Sequence, residues 1–386
     1  MTNSLFQFQP GELPPAALQL RREVRSFLRG EIESGAWRPT GDFCSHFSAE
    51  FSRRIGARGW IGLTWPKQYG GHERSTLERY VVTEEMLVAG APVTAHWIAD
   101  RQSGPLLLRF GTEEQRQKYL PAIAKGESYF AIGMSEPDAG SDLAAVRTKA
   151  EKVDGGWKLN GSKVWTTYAH RCHYAITLAR TGPAGESRHE GLTQFIVDLA
   201  AKGVTISPII NMAGAHEFNE VLFEDVFLAD DTLVGSPGSG WHQVTSELAF
   251  ERSGPERFLS SFRLFRAMVG AAANDTHPNP DPRVAEAIGR LAAHLMTLRQ
   301  MSISVAAMLG QGAMPNFEAA LIKDLGNACE REIPELARLL GPALPGRDGA
   351  FDAVLEECIL YAPSWTLRGG TREILRGIIA RGLGLR

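Results

Sequence analysis

The stretch "MSEPDAGSDL", Met134 to Leu143, stands where the period of the sequence changes. Ahead of it, from about Pro14 to Glu127, apolar residues recur every three or four positions. "ALQLRREVRSFLRGEI", "FSRRIGARGW", "LERYVVTEEMLVAG" and "EEQRQKYLPAIAKG" all read as helices. "GWIGLTWPKQYGG" interrupts them as a Gly- and Trp-rich loop. The stretch itself sits at the end of a short strand, "YFAIGMSE", and continues as a Pro- and Gly-containing loop. Such a loop exposes backbone N–H groups and hydroxyls, which suits the edge of a polar heterocycle or a phosphate; a plain turn has the same composition.

Behind it, from about Ser128 to Ser236, the period is two. "TKAEKV", "GWKLNGSKVWTT", "HYAITLART", "LTQFIVDL", "VTISPI" and "EVLFEDVFL" are short, β-branched or aromatic, and separated by Gly, Asp and Asn. They predict an antiparallel, barrel-like β-domain, with a hairpin in "DGGWKLNGSK" and Asn160-Gly161 at the next turn. From about Trp241 helices return. "LSSFRLFRAMVGAAAN" stops at the Pro-rich "DTHPNPDP". "RVAEAIGRLAAHLMTLRQMSISVAAMLG", "NFEAALIKDLGNACEREIPELARLLG" and "REILRGIIARGL" then carry the apolar stripes of a long antiparallel bundle. The expected class is α+β: an N-terminal helical domain over 1–127, a middle β-domain over 128–236 and a C-terminal four-helix bundle over 237–386.

Composition sets outer bounds. The 386 residues are 44% hydrophobic and 22% charged, an ordinary soluble globular balance. A net charge of -3 gives no basic field for nucleic acid or anionic membrane. No apolar run approaches the roughly 20 residues that span a bilayer, and the N-terminus lacks the layout of a signal peptide. Cys44, Cys172, Cys329 and Cys358 are far apart, so neither a zinc knuckle nor a disulfide framework is indicated. Four free thiols suit a cytoplasmic setting. The ten His residues show no metal-ligand spacing, so no metal is expected. No GxGxxG follows a first strand, so a Rossmann site is not indicated.

A second motif, "LNGSKVWTT", ends in Trp165, Thr166 and Thr167. An indole followed by hydroxyls suits stacking on a flat ring and bonding its edge; core packing at a strand end is the alternative. Taken in order, the helical zone, "SEPDAGSDL", "LNGSKVWTT", the β-domain, the bundle and "GGTREILRGIIARGLGL" resemble the acyl-CoA dehydrogenase family of flavoproteins. "RFGTEEQRQKYLPAIAKGE", Arg109 to Glu127, adds to the likeness, which spans nearly the whole chain. The resemblance implies FAD between the β-domain and the bundle. It places Met134 and Ser135 at the pyrimidine side of the flavin, and Trp165 and Thr167 over one face and near N5, with Thr166 beside them. It sets Ser141 near the CoA thioester or its pantetheine, and Thr371 and Glu373 at the adenosine end of the cofactor.

The sequence departs from that family at one point. The familiar catalytic Glu of a Tyr-Glu-Gly-Thr run falls here on Gly369, in "LRGGTREI", which has no side chain to accept a proton. Some branches of the family carry the base on the first helix of the C-terminal bundle. Glu251, in "TSELAFERSGPERF", occupies that position. The alternative for Glu251 is an ion pair with Arg252 or Arg257, or a solvated helix face. Arg252 has two readings: contact with CoA phosphates or electrostatic tuning of Glu251, against a surface role. Asp100 and Arg101 fall where the family's acyl pocket begins, as recognition of a polar acyl tail or as a structural pair.

The resemblance thus implies α,β-dehydrogenation of an acyl-CoA thioester, within lipid metabolism. Glu251 would take the α-proton, the flavin the β-hydride, and the Gly369 N–H would polarise the thioester carbonyl together with the FAD ribityl hydroxyl. Gly369 and Gly370 leave room for a bulky or branched acyl group. The expected partners are the acyl-CoA substrate, an electron-transfer flavoprotein as acceptor, and further subunits in a homo- or hetero-tetramer, or a dimer. The run from Ala271 to Arg283 lacks the Arg-x-x-Phe-Gly segment with which many homotetrameric relatives clamp a neighbour's FAD. Two other readings stay open: a subunit of a hetero-oligomer with an incomplete flavin site of its own, and a flavin oxidase or monooxygenase on the same scaffold.

Overall fold

A computed structural model describes residues 7–9, 11–42, 45–183, 185–274, 278 and 280–385, without the side chains of 247–251. Among the described residues six α-helices come first: α1 (Pro15–Glu33), α2 (Ala49–Ala57), α3 (Thr76–Ala89), α4 (Thr94–Ile98), α5 (Gly104–Phe110) and α6 (Glu113–Ala124). Strands follow, eight among the described residues: β1 (Phe130–Gly133), β2 (Lys149–Val153), β3 (Gly156–Thr167), β4 (Tyr174–Arg180), β5 (Leu192–Asp198), β6 (Val204–Ile210), β7 (His216–Ala229) and β8 (Leu233–Val234). The chain then returns to helix in α7 (Gly240–Arg252), α8 (Phe262–Ala273), α9 (Pro282–Gly310), α10 (Asn316–Leu340), α11 (Gly349–Trp365) and α12 (Arg372–Gly382).

Local chemistry sets many of these boundaries. Ser75 and Glu78 form a reciprocal capping box at the start of α3, and Gly90 ends that helix in the left-handed region at φ 68°. Thr112 and Gln115 do the same at the start of α6. Asp348 caps α11 through the Phe351 N–H at 2.9 Å.

Two compact units result, and they cut across the three sequence segments. One comprises residues 1–45, 75–92 and 249–386. In it, α3 lies against α1 and α9. Glu84 and Glu85 of α3 are buried there, each matched by arginine. Arg21 and Arg25 of α1 hold Glu85 at 2.7 and 2.8 Å, and Arg299 of α9 holds Glu84 at 2.6 Å. Buried carboxylates need such partners, because an unpaired buried charge is costly.

The second unit comprises residues 46–74 and 93–248. Its sheet runs in the order β6-β7-β3-β2-β4-β5-β8. Pairing is antiparallel along most of that path, but β1 pairs β4 in parallel, and β2 touches β4 in parallel through Lys149 and Arg180. The expected all-antiparallel domain therefore has a parallel arm. The reason is connectivity: β1 arrives from helix α6, and the loop and β2–β3 hairpin that follow make the crossover a parallel strand needs. Leu159, Phe195, Val197, Val221 and Phe223 pack its core.

The hairpin turns at Asp154-Gly155, with Gly155 at φ 71°. Asn160-Gly161 is not a turn. It sits inside β3 at a register shift against β7, with Gly161 at φ 144°, where a Cβ would come within 2.6 Å of Thr148 Oγ1. The Asn-Gly signal thus marks a bulge, since a bulge needs the same permissive backbone as a turn.

Candidate active site

The loop at Met134–Leu143 is fastened to β3 by a buried ion pair. Lys163 is fully buried, and its Nζ lies 2.8 Å from Glu136 Oε1 and 3.0 Å from the Met134 carbonyl oxygen. Glu136 also accepts from the backbone N–H groups of Arg147 at 2.6 Å and Thr148 at 2.9 Å. Burial pushes the Lys163 ammonium down to about 8 against the pull of Glu136. Burial likewise opposes ionisation of Glu136, but Lys163 and the two N–H donors outweigh it and hold the carboxyl below its ordinary range. The Val164 N–H donates to the Ser135 carbonyl at 2.9 Å. Neither Lys163 nor Glu136 stood out in the sequence, although each lies inside one of the two motifs read there.

A second register shift, between Lys163 and Thr166, re-aims the end of β3. Trp165 takes φ 60° and is 59% exposed, with Phe218 edge-on at 6.0 Å. A non-glycine residue in that region costs strain, and here it turns a large apolar ring outward. Thr166 is buried, its carbonyl accepting from Asn219 at 2.9 Å and its hydroxyl without a partner among the described residues. Thr167 pairs with Phe218. Ser141 is exposed on the loop beyond Glu136. An exposed indole, a strand-end hydroxyl and a polar loop bonded to the same strand fit a planar heterocycle with a polar edge, so the residues present suit a flavin.

Asp100 and Arg101 lie in a π-helical turn, Ala99–Ser103. Asp100 accepts from the Gly62 N–H at 2.8 Å, and the Arg101 guanidinium lies over Trp97 at 4.5 Å.

In the other unit, Glu251 belongs to the last turn of α7, but its side chain lies outside the described residues. Its neighbour Arg252 is buried, 6% exposed, and donates from Nε to the Gly369 carbonyl at 3.2 Å. Gly369 and Gly370 sit at φ 69° and 99°, between α11 and Thr371, the N-cap position of α12. Glu373 is exposed in the first turn of α12 and is held below the usual carboxylate range, chiefly by its own backbone N–H. Arg257 lies 3.8 Å from Glu256.

The turn is also held from behind. The Trp365 indole N–H donates to Asp42 Oδ2 at 2.6 Å, and Arg368 reaches the same carboxylate at 3.4 Å and the Ser260 hydroxyl. The Ser260 N–H in turn donates to Glu330 Oε1 at 2.8 Å, and burial raises Glu330. This network joins residues up to 323 positions apart, so no local sequence pattern points to it.

Among the described residues no three His, Cys, Asp or Glu side chains converge as a metal site, and no helix is long and apolar enough to cross a membrane. Cys329 and Cys358 are buried free thiols and Cys172 a half-buried one; burial pushes Cys172 and Cys329 up to about 12. Cys44 lies outside the described residues.

A helical, then β, then helical chain with these motifs defines an oxidoreductase scaffold of the flavin-dependent dehydrogenase type. Family models for the acyl-CoA dehydrogenase N-terminal, middle and C-terminal domains match residues 14–127, 131–226 and 238–384. The chain belongs to the acyl-CoA dehydrogenase family, whose members are flavoproteins acting on CH–CH bonds in acyl-CoA metabolism. It is 36% identical to acyl-CoA dehydrogenase IpdE1 of Mycobacterium tuberculosis, over 87% of each chain. Among solved structures it resembles the Tcur3481-Tcur3483 steroid ACAD, with a TM-score of 0.86 and 30% identity over 98% of each chain. The ChsE4-ChsE5 complex of Mycobacterium tuberculosis gives 0.82 and 29%, over 97% of this chain and 99% of that one.

Proposed function

We propose that this protein dehydrogenates the α,β-bond of a bulky acyl-CoA thioester, with Glu251 as the base and FAD as the acceptor. The observation that carries the reading is the Arg252–Gly369 hydrogen bond. It ties the end of α7 to the very turn where the family's familiar base has been replaced by glycine. Glu251 therefore leaves the backbone one residue from that contact.

The roles follow from the residues. Glu251 accepts the α-proton. The Gly369 N–H donates to the thioester carbonyl, lowering the cost of charge that develops there. Met134, Ser135, Trp165, Thr166 and Thr167 seat the isoalloxazine, and Thr371 and Glu373 meet the adenosine end. Ser141 contacts the CoA arm. FAD, when bound, supplies an acceptor for the β-hydride. The buried position of Arg252 and its bond to Gly369 favour a role at the turn over one at the CoA phosphates. With glycines at 369 and 370, no side chain projects from the turn, which suits a steroid-like or branched acyl group. Relatives described as steroid enzymes support that class.

Glu251→Gln tests the base. The variant should bind FAD as the wild type does, while flavin reduction by a substrate acyl-CoA falls by about 10²–10⁴-fold or more. Rapid bleaching in Glu251→Gln would remove Glu251 from the mechanism. A panel in which butyryl-CoA outperformed bulky acyl-CoAs would remove the substrate class.

A hetero-oligomer is the favoured assembly among the alternatives, because two of the similar structures are two-protein complexes by name. An electron-transfer flavoprotein is the proposed acceptor, and the free thiols suit a reducing, cytoplasmic setting. If the purified chain takes up FAD only with a second protein present, the mixed assembly is correct. Rapid oxygen use by the reduced enzyme without that acceptor would favour an oxidase.

A further inference from the structure

Lys163 lies within "LNGSKVWTT", and the functional reading above gives it no part in holding the cofactor. Its burial is complete, in a β-strand that could hold an apolar side chain at that point. Burying an ammonium costs several kcal/mol unless it is paired and hydrogen-bonded. Lys163 is both: Glu136 pairs with it, and the Met134 carbonyl accepts from it at 3.0 Å. The scaffold makes room for the stem of the lysine. A Cβ on Gly133 would stand 3.4 Å from Lys163 Cγ and 3.1 Å from Thr177 Oγ1.

The second of these bonds has a direction. The Met134–Ser135 peptide is planar and trans, so its N–H points opposite to its carbonyl. The carbonyl faces the Lys163 ammonium, and the Ser135 N–H therefore faces away from it. The Ser135 carbonyl is taken up by the Val164 N–H, which fixes the next peptide as well. Among the described residues the Ser135 N–H has no backbone acceptor. A full positive charge on the carbonyl of a peptide withdraws electron density through the amide and makes its N–H a stronger donor.

We propose that Lys163 is a positioning residue for the cofactor: it orients and polarises the Met134–Ser135 peptide so that the Ser135 N–H is presented as a strong donor to the electron-rich edge of a reduced flavin. This rests on the flavin reading of Met134 and Ser135 given above. A lysine that only pinned the loop would affect oxidised and reduced flavin alike. A lysine that strengthens the donor favours the reduced form, which carries more negative charge on the ring edge.

The test is the midpoint potential of bound FAD, measured without substrate, in wild type, Lys163→Met and the double variant Lys163→Met/Glu136→Gln. The double variant leaves no buried carboxylate unpaired, so it keeps the test alive if the single variant is unstable. The expected result is a tenfold loss of preference for reduced over oxidised FAD, a midpoint lower by about 30 mV for this two-electron couple. An unchanged midpoint in a folded, FAD-binding variant overturns the proposal. A double variant that cannot fold also overturns it, since the pair would then be a structural requirement. Wild-type protein that binds no FAD, alone or with a partner, would instead overturn the flavin reading itself.

Discussion

The Arg252 guanidinium and the Gly369 carbonyl are 3.2 Å apart, and that bond joins two segments 117 residues distant in sequence. It holds the carbonyl of a glycine at φ 69°, a left-handed conformation that glycine adopts without steric cost. A bond to the carbonyl of Gly369 restrains the turn from which its N–H must point.

Replacing Arg252 with Met should therefore retain FAD and lower kcat/KM by on the order of 10²-fold, the scale expected for a small misplacement of a reacting group. Arg252→Lys should not rescue it, because an ammonium lacks the planar fork of donors. Stopped-flow reduction with a turnover substrate checks both. Wild-type rates in Arg252→Met would show that the turn needs no latch.

Gly370→Ala should be worse than its size suggests. The residue sits at φ 99°, and the new Cβ would lie 3.1 Å from the Arg252 guanidinium. The backbone strain alone is about 1–3 kcal/mol. Thermal denaturation should show the loss, and the acyl-CoA KM should rise with it. A variant with the wild-type melting temperature would contradict the strained geometry.

Trp365→Phe removes the indole donor from Asp42, a carboxylate that is 1% exposed. Leaving a buried acceptor short of a partner costs about 1–3 kcal/mol, more for a charged group. Trp365→Phe should lower stability by at least that amount in denaturant titration, and Asp42→Asn should recover part of it in the double variant. Additive losses in the two single variants would mean that the residues are not coupled.

His96 gives the pH dependence a definite sign. Burial lowers it to about 4, against an ordinary value of 6.5, and its Nδ1 lies 2.8 Å from Ser52 Oγ. The folded state then holds the neutral ring between those two values while the unfolded chain binds a proton. Stability is fully present above pH 6.5 and falls as the pH drops toward 4, by about 3 kcal/mol in all. His96→Gln should flatten the acid limb of a stability–pH curve by about one proton. An unaltered limb would assign the acid sensitivity to other groups.

The alternation of β2 to β7, the helical stripes around them and the two motifs at 134–143 and 159–167 were legible because each is local: side-chain period and turn chemistry are written residue by residue. The Asn160-Gly161 signal shows the limit of that code. The same backbone freedom serves a hairpin turn or a bulge, and only pairing with β7 chose the bulge. The parallel pairing of β1 with β4 was likewise invisible, because strand direction is a property of partners that meet only on folding.

By itself the sequence determined the family, and its resemblance to that family offered Gly369 as the position of a missing carboxylate and Glu251 on α7 as the candidate base. What only the tertiary structure decided is how the positions around them are held. Arg252 is buried and bonded to the carbonyl of a glycine turn, and Lys163 is a buried charge against the Met134 carbonyl. The reason is physical. The cost of burying a charge, and the hydrogen bonds that offset it, depend on which distant groups converge, and no window of sequence contains both partners.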